Sequence, residues 1–128
     1  MIVAGLGYCK GVSVAQLEAA LAEALRRAEL GDAQVLQIAV AAQKAHEPAV
    51  QRLAEARQLS LIVIAQSELE AASPRTLTRS ARSLQTMNVH SVAEAAALAA
   101  AGSAAQLLAP RLALGPVTCA LARGDATP

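Results

Sequence analysis

Three short apolar runs, at residues 1–5, 35–40 and 61–65, alternate with stretches whose leucines recur at helical spacing, and this alternation restricts the fold more than any other feature. Strands separated by helix-length crossovers pair in parallel and carry the helices on the faces of the sheet. Ser13 followed by Gln16 makes a capping box, and Leu17, Leu21 and Leu25 form one stripe, so the pattern predicts a helix from Val14 to about Glu29, with Gly31 as its breaker. Pro48, tolerated in a first turn, opens a second helix to about Arg57 with Val50 and Leu53 inward. The run Leu-Ile-Val-Ile-Ala at 61–65 is apolar throughout, as expected of a central strand covered on both faces.

The second half is read more coarsely. A helix across 73–88 would put Arg75, Arg79 and Arg82 on one face. Ser91 and Glu94 read as a second capping box for a helix from Val92 to Ala101 that stops at Gly102. Residues 106–109 and 117–122 read as two late strands, paired as a hairpin through Gly115-Pro116. The expected fold is α/β: one compact domain over 1–128, with a mixed, mostly parallel sheet of about five strands flanked by helices. Residues 124–128 are expected to be a flexible tail.

The core this chain can build has an unusual composition. Hydrophobic residues make up 55%, yet there is no Phe or Trp and a single tyrosine, Tyr8. Ala, Leu, Val and Ile must fill the interior, and short alanine side chains let helices approach a sheet closely. The formal net charge of +1 and the missing aromatic platforms argue against nucleic acid as a partner. Two cysteines give no disulfide framework, and the scattered His and Cys residues give no metal-ligand spacing. No signal peptide opens the sequence and no apolar run is long enough for a membrane span, so the expectation is a cytoplasmic protein without a membrane partner.

The candidate site begins with the glycine-rich segment Gly5-Leu6-Gly7-Tyr8-Cys9-Lys10-Gly11. A glycine loop after a strand and before a helix can present backbone N–H groups to an anion. Its G-x-G-x-x-x-G spacing is one residue longer than the dinucleotide fingerprint, and no acid follows the second strand, so a dinucleotide cofactor is not expected. The alternative is a tight turn without a ligand. A second loop brings Lys44, His46 and Glu47 to the same expected sheet edge. These could do acid–base chemistry facing Ser13 or Cys9, or could simply be solvated and helix-start residues. Cys9 near a helix start could be reactive, whereas Cys119 in an apolar strand reads as core. The arginines, Arg79 among them, could be a solvated face or could join Lys10 and Lys44 in clamping several carboxylates.

Four segments together resemble the CobE family, which is also the C-terminal domain of CbiG proteins of cobalamin biosynthesis. They are Val3-Ala4-Gly5-Leu6-Gly7 with Lys10-Gly11, Lys44-Ala45-His46-Glu47-Pro48, Ser91-Val92-Ala93-Glu94-Ala95-Ala96-Ala97-Leu98, and Pro116-Val117-Thr118-Cys119-Ala120-Leu121-Ala122-Arg123. The resemblance implies a compact α/β domain acting in the aerobic route to the corrin ring. No cofactor is expected, and the resemblance implies as partners a corrinoid or precorrin intermediate and other cobalamin-pathway enzymes. The lactone-opening hydrolase activity of the larger CbiG proteins is not carried over, and no catalytic residue is assigned. The family loop reads Gly-x-Gly-Cys, two basic residues and Gly. Here Tyr8 stands at the cysteine position and Cys9 at the first basic one, while Gly5, Gly7, Lys10 and Gly11 match. Corrin precursors are edged with carboxylates, for which Lys10, Lys44 and backbone N–H groups are suitable partners. The expected function is therefore binding or handing over such an intermediate. The alternatives are a small hydrolase or ring-modifying enzyme of the pathway, or a scaffold for its enzymes.

Overall fold

The computed structural model describes residues 2–31 and 35–124, without the side chains of Leu36, Arg82 and Thr86. Six strands and five helices follow in the order β1 (Ile2–Tyr8), α1 (Val14–Arg27), β2 (Val35–Ala41), α2 (Pro48–Arg57), β3 (Ser60–Ile64), α3 (Gln66–Ala72), α4 (Ala81–Met87), α5 (Val92–Ala101), β4 (Gln106–Leu107), β5 (Leu112–Leu114) and β6 (Val117–Arg123). The sheet runs β3-β2-β1-β6-β4, with β5 also on β6. Pairs β1·β2 and β2·β3 are parallel, whereas β6 runs antiparallel to β1, β4 and β5. The sheet is thus mixed and parallel at one end, with one strand more than the sequence pattern predicts.

Strand β1 explains how the layers form. Its even positions, Ile2, Ala4, Leu6 and Tyr8, face the core that α1 and α2 cover through Leu17, Leu21, Leu25, Val50 and Leu53. On the other face Val3 meets α5, together with Ala39, Ala41 and Ala122 from the neighbouring strands. Gly5 and Gly7 continue that small-residue face. A methyl group added at Gly5 would collide with the Ala93 carbonyl and stand 2.7 Å from the Ala97 nitrogen, so α5 rests directly on the strand backbone. This is the close approach that an alanine helix permits, and it buries Ala93, Ala95, Ala96, Ala97, Leu98 and Ala101. The glycines therefore lie inside β1 and the strand continues to Tyr8, three residues beyond the end expected at Gly5.

Several local expectations change for identifiable reasons. Helix α1 stops at Arg27, before Gly31, because Glu29 itself takes the left-handed conformation (φ +58°) and Leu30 N–H donates to the Leu25 carbonyl at 2.9 Å. Strand β3 is an edge strand, not a central one, and Val63 is 50% exposed. Its continuous apolarity cannot distinguish the two, since an edge depends on what the rest of the chain pairs with. The expected helix across 73–88 breaks into a short 3-10 turn (Ser73–Arg75), an extended stretch and α4. Arg75 and Arg79 therefore do not share a helix face, and the side chain of Arg82 lies outside the described residues. The partner of β6 across the Gly115-Pro116 turn is β5, which the sequence pattern misses, while β4 pairs farther along the same strand. Of the expected tail, residues 125–128 lie outside the described residues.

Candidate functional site

Because β1, β2 and β3 are parallel, their carboxyl ends come out at one edge of the sheet, where ligand clefts of open α/β sheets form. Antiparallel β6 begins at the same edge, with Val117 opposite Tyr8. The loops after β1 and β2 meet there around a cleft of about 670 Å³ lined by Tyr8, Cys9, Lys10, Gly11, Gln43, Lys44, His46, Glu47 and Pro48. The two segments that sequence reading placed at this edge do share one cleft.

Two hydrogen bonds hold the loops together. The Tyr8 hydroxyl donates to the Lys44 carbonyl at 2.5 Å. The Tyr8 ring belongs to the core under α1 and α2, so a buried residue anchors the second loop. Burial, and secondarily the Glu47 charge, hold the Tyr8 phenol well above its ordinary pKa, so it stays a donor. Across the cleft, Gly11 N–H donates to Glu47 Oε2 at 3.2 Å. Residues 9–12 form a turn closed by Val12 N–H donating to the Cys9 carbonyl at 3.2 Å, with Gly11 at φ +86°. That left-handed conformation favours glycine there. Glu47 also stands at the N-cap of α2 without capping it through its side chain.

These bonds change the meaning of the glycine segment. Gly5 does not line this cleft and serves the packing of α5. Gly11 N–H, the donor nearest an anion cradle, already holds a carboxylate, the protein's own Glu47. The groups left for a ligand are the side chains of Lys10, Lys44 and His46, none of which has a protein partner among the described residues.

The remaining sequence candidates lie elsewhere. Ser13 caps α1: its hydroxyl accepts from Gln16 N–H at 3.0 Å, and its own N–H donates to Gln16 Oε1 at 3.0 Å. Ser13 lines neither this cleft nor a smaller one of about 350 Å³ that adjoins it at Tyr8. Arg79 also lines neither and donates to Thr76 Oγ1 at 2.9 Å, while Arg75 donates to the Ser103 carbonyl at 3.1 Å. The Cys9 thiol is exposed in the cleft and bonds to no described base. Cys119 is buried, and burial pushes its thiol up to about 12. Among the described residues no three His, Cys, Asp or Glu side chains come together to hold a metal ion. No described helix is long and apolar enough to cross a membrane.

Sequence reading missed the role of Glu94. Ser91 does cap α5 by accepting from Glu94 N–H at 3.3 Å. The Glu94 side chain, however, does not return the bond as a capping box would. It is fully buried and accepts from Leu77 N–H (2.7 Å), Thr78 N–H (2.9 Å), the Thr78 hydroxyl (2.6 Å) and Arg111 N–H (2.8 Å). Burial opposes its ionisation, but these four donors outweigh burial and hold its pKa below the ordinary carboxylate value. A glutamate inside an otherwise alanine-rich helix is the signal that could have revealed it.

Comparison with known proteins gives the chain its relatives. The family described as "Cobalamin synthesis G C-terminus" matches residues 2–122. The crystal structure of CobE, a protein from the cobalamin (vitamin B12) biosynthetic pathway, superposes with a TM-score of 0.87 at 33% identity, covering 96% of this chain and 89% of that one. The cobalamin biosynthesis protein chiG from Agrobacterium tumefaciens str. C58 superposes with a TM-score of 0.78 at 36% identity, covering 98% and 100%. No curated protein matches the chain.

Proposed function

The chain belongs to the cobalamin synthesis G C-terminus family and is a protein of cobalamin biosynthesis, and from that premise we propose that it binds a polycarboxylate corrinoid or precorrin intermediate at the β1/β2 edge and hands it on to other enzymes of the pathway in the cytoplasm. One observation carries the reading: Lys10 and Lys44, two cations without protein partners among the described residues, line one open cleft with His46. A cleft of about 670 Å³ is a size suited to one edge of a macrocycle rather than to its enclosure. Tyr8 is the only aromatic residue, and its hydroxyl is engaged with Lys44, so the site offers no stacking platform. Recognition then rests on the carboxylate-bearing edge, which ammonium groups attract.

The Glu47 carboxylate on Gly11 N–H supports the same ligand chemistry, because this turn already accommodates one carboxylate, the protein's own. A ligand carboxylate could take its place only by displacing it, which favours weak, reversible holding. Release to a downstream enzyme needs that reversibility. Among the described residues neither His46 nor Glu47 is bonded to Cys9 or Ser13, so no preformed base–nucleophile pair supports the enzymatic alternative.

The test is a fluorescence titration of the protein with uroporphyrin, an octacarboxylate tetrapyrrole. Binding should weaken steeply with added salt. Lys10→Ala and Lys44→Ala should each weaken it about threefold to fivefold, the weight of a partly screened ion pair. Unchanged affinity in both variants would remove this cleft as the site. Incubation of a purified precorrin with the protein should leave its mass unchanged; a mass change would favour the enzymatic alternative.

A further inference from the structure

A second cleft, of about 350 Å³, adjoins the first across Tyr8, and Tyr8, Cys9 and Lys44 line both. Its other walls include Ser80, Ser83, Thr118 and Arg111. The charged residues lining it are both cations, Lys44 and Arg111, and it contains no acid. The first cleft, by contrast, contains Glu47 beside its lysines.

Arg111 is held in an unusual way. Its backbone N–H donates to Glu94 Oε2, deep under the sheet edge. The two Glu94 oxygens receive four hydrogen bonds in all, three of them from residues 77 and 78, so the carboxylate has no remaining capacity for a guanidinium. Among the described residues the Arg111 head has no hydrogen-bond or ion-pair partner. A buried anion therefore fixes the main chain of a half-buried arginine without neutralising its side chain. A half-buried cation beside hydroxyl groups, with no counterion of its own, is suited to an anion from outside.

We infer that the smaller cleft is a second carboxylate subsite in which Arg111 is the principal donor and Glu94 the residue that positions it. The ligand it fits is a polyacid whose carboxylates straddle the Tyr8–Lys44 bridge, one group reaching Lys10 and another reaching Arg111. The ligand class rests on the reading of the first cleft. The subsite itself rests on the charge and geometry of the second.

Two measurements on the full chain separate these layers. In the uroporphyrin titration Arg111→Ala should weaken binding about tenfold, the weight of one charge-assisted hydrogen bond, and Arg111→Lys should recover part of the loss. Arg52→Ala removes an equal charge from an exposed position of α2 that lines neither cleft, and should change affinity less than twofold. Glu94→Gln should weaken the probe in the native background but not in the Arg111→Ala background, a coupling that general loss of stability would not produce.

The second measurement follows backbone amide shifts of the ¹⁵N-labelled protein on adding tricarballylate, a small tricarboxylate. Shifts at both Lys10 and Arg111 are expected. Shifts at Lys10 with none at Arg111 or Thr118, or an Arg111→Ala variant that binds uroporphyrin as the native protein does, would overturn the second subsite and leave the first cleft standing. Shifts at Arg111 with none at Lys10 would sustain the subsite and overturn the first cleft. Silence at both would overturn both.

Discussion

At the scale of single residues, Tyr8 and Glu94 do more for the candidate site than the residues with the most evident chemistry. Tyr8 is the one aromatic side chain, and its ring sits in the core while its hydroxyl reaches the Lys44 carbonyl 36 positions away. A shorter side chain at this position could not reach that carbonyl. Tyr8→Phe keeps the ring and leaves the Lys44 carbonyl without its donor. The expected loss is about 1 kcal/mol of stability in urea unfolding. Amide hydrogen exchange should quicken across residues 42–47, while α5 keeps its native protection. Uniform exchange across the chain would refute the anchoring role. His90 carries the one buried side-chain polar atom without a partner among the described residues, its Nδ1.

At the scale of elements, the packing of α5 on β1 governs the region around the site. The helix is almost wholly alanine on its buried side, and the strand answers with Gly5 and Gly7. Gly5→Ala would drive its methyl group into the Ala93 carbonyl, and the neighbour here is helix backbone, which cannot rotate aside. We expect a loss of about 3 kcal/mol, the upper range for overpacking, measured by the urea midpoint. Gly11→Ala is the control. Nothing lies within 4 Å of its added methyl, and only its φ of +86° opposes the change, at about 1 kcal/mol. A reversed order would mean that the turn conformation at Gly11 matters more to stability than the contact of α5 with Gly5. The stretch from Thr76 to Ser80 shows the opposite balance. Its N–H groups at Leu77 and Thr78 are satisfied by Glu94, so the backbone has no need of helix there, and the arginine stripe read from the spacing dissolves.

At the scale of the whole molecule, one buried carboxylate ties three parts of the fold together: α5, the stretch before α4, and the chain entering β5. Its linkage to pH has a definite sign. The folded pKa of Glu94 lies below the ordinary 4.5, so its contribution is fully present above about pH 4.5. The contribution is lost as pH falls through the lowered value. Glu94→Gln should therefore be less stable than the native protein by about 2 kcal/mol at pH 7. The difference should shrink in acid below pH 4.5. Parallel unfolding curves for the two proteins from pH 7 to pH 3, with a constant gap, would contradict this account.

Much of this architecture is legible in the sequence because it is written in local periodicity. The capping box at Ser13, Pro48 at the start of α2, the alanine helix ending at Gly102 and the three parallel strands depend on neighbours within a few residues; the helix signals occur where the pattern places them, and the strands do too apart from the extension of β1 to Tyr8 and the edge position of β3. The order of β and α segments also brings the loops after β1 and β2 to one edge, so the Lys10–Lys44 cleft could be anticipated before any coordinates. What only the tertiary structure decided involves partners distant in the chain. It put β3 at the sheet edge, made Gly5 a seat for α5, turned Glu94 from a capping residue into a tie between loops, and brought Arg111 into one cleft with Lys44. Local periodicity reports which face of an element is apolar; which distant backbone or charge that face or side chain will meet is fixed only when the layers close on one another.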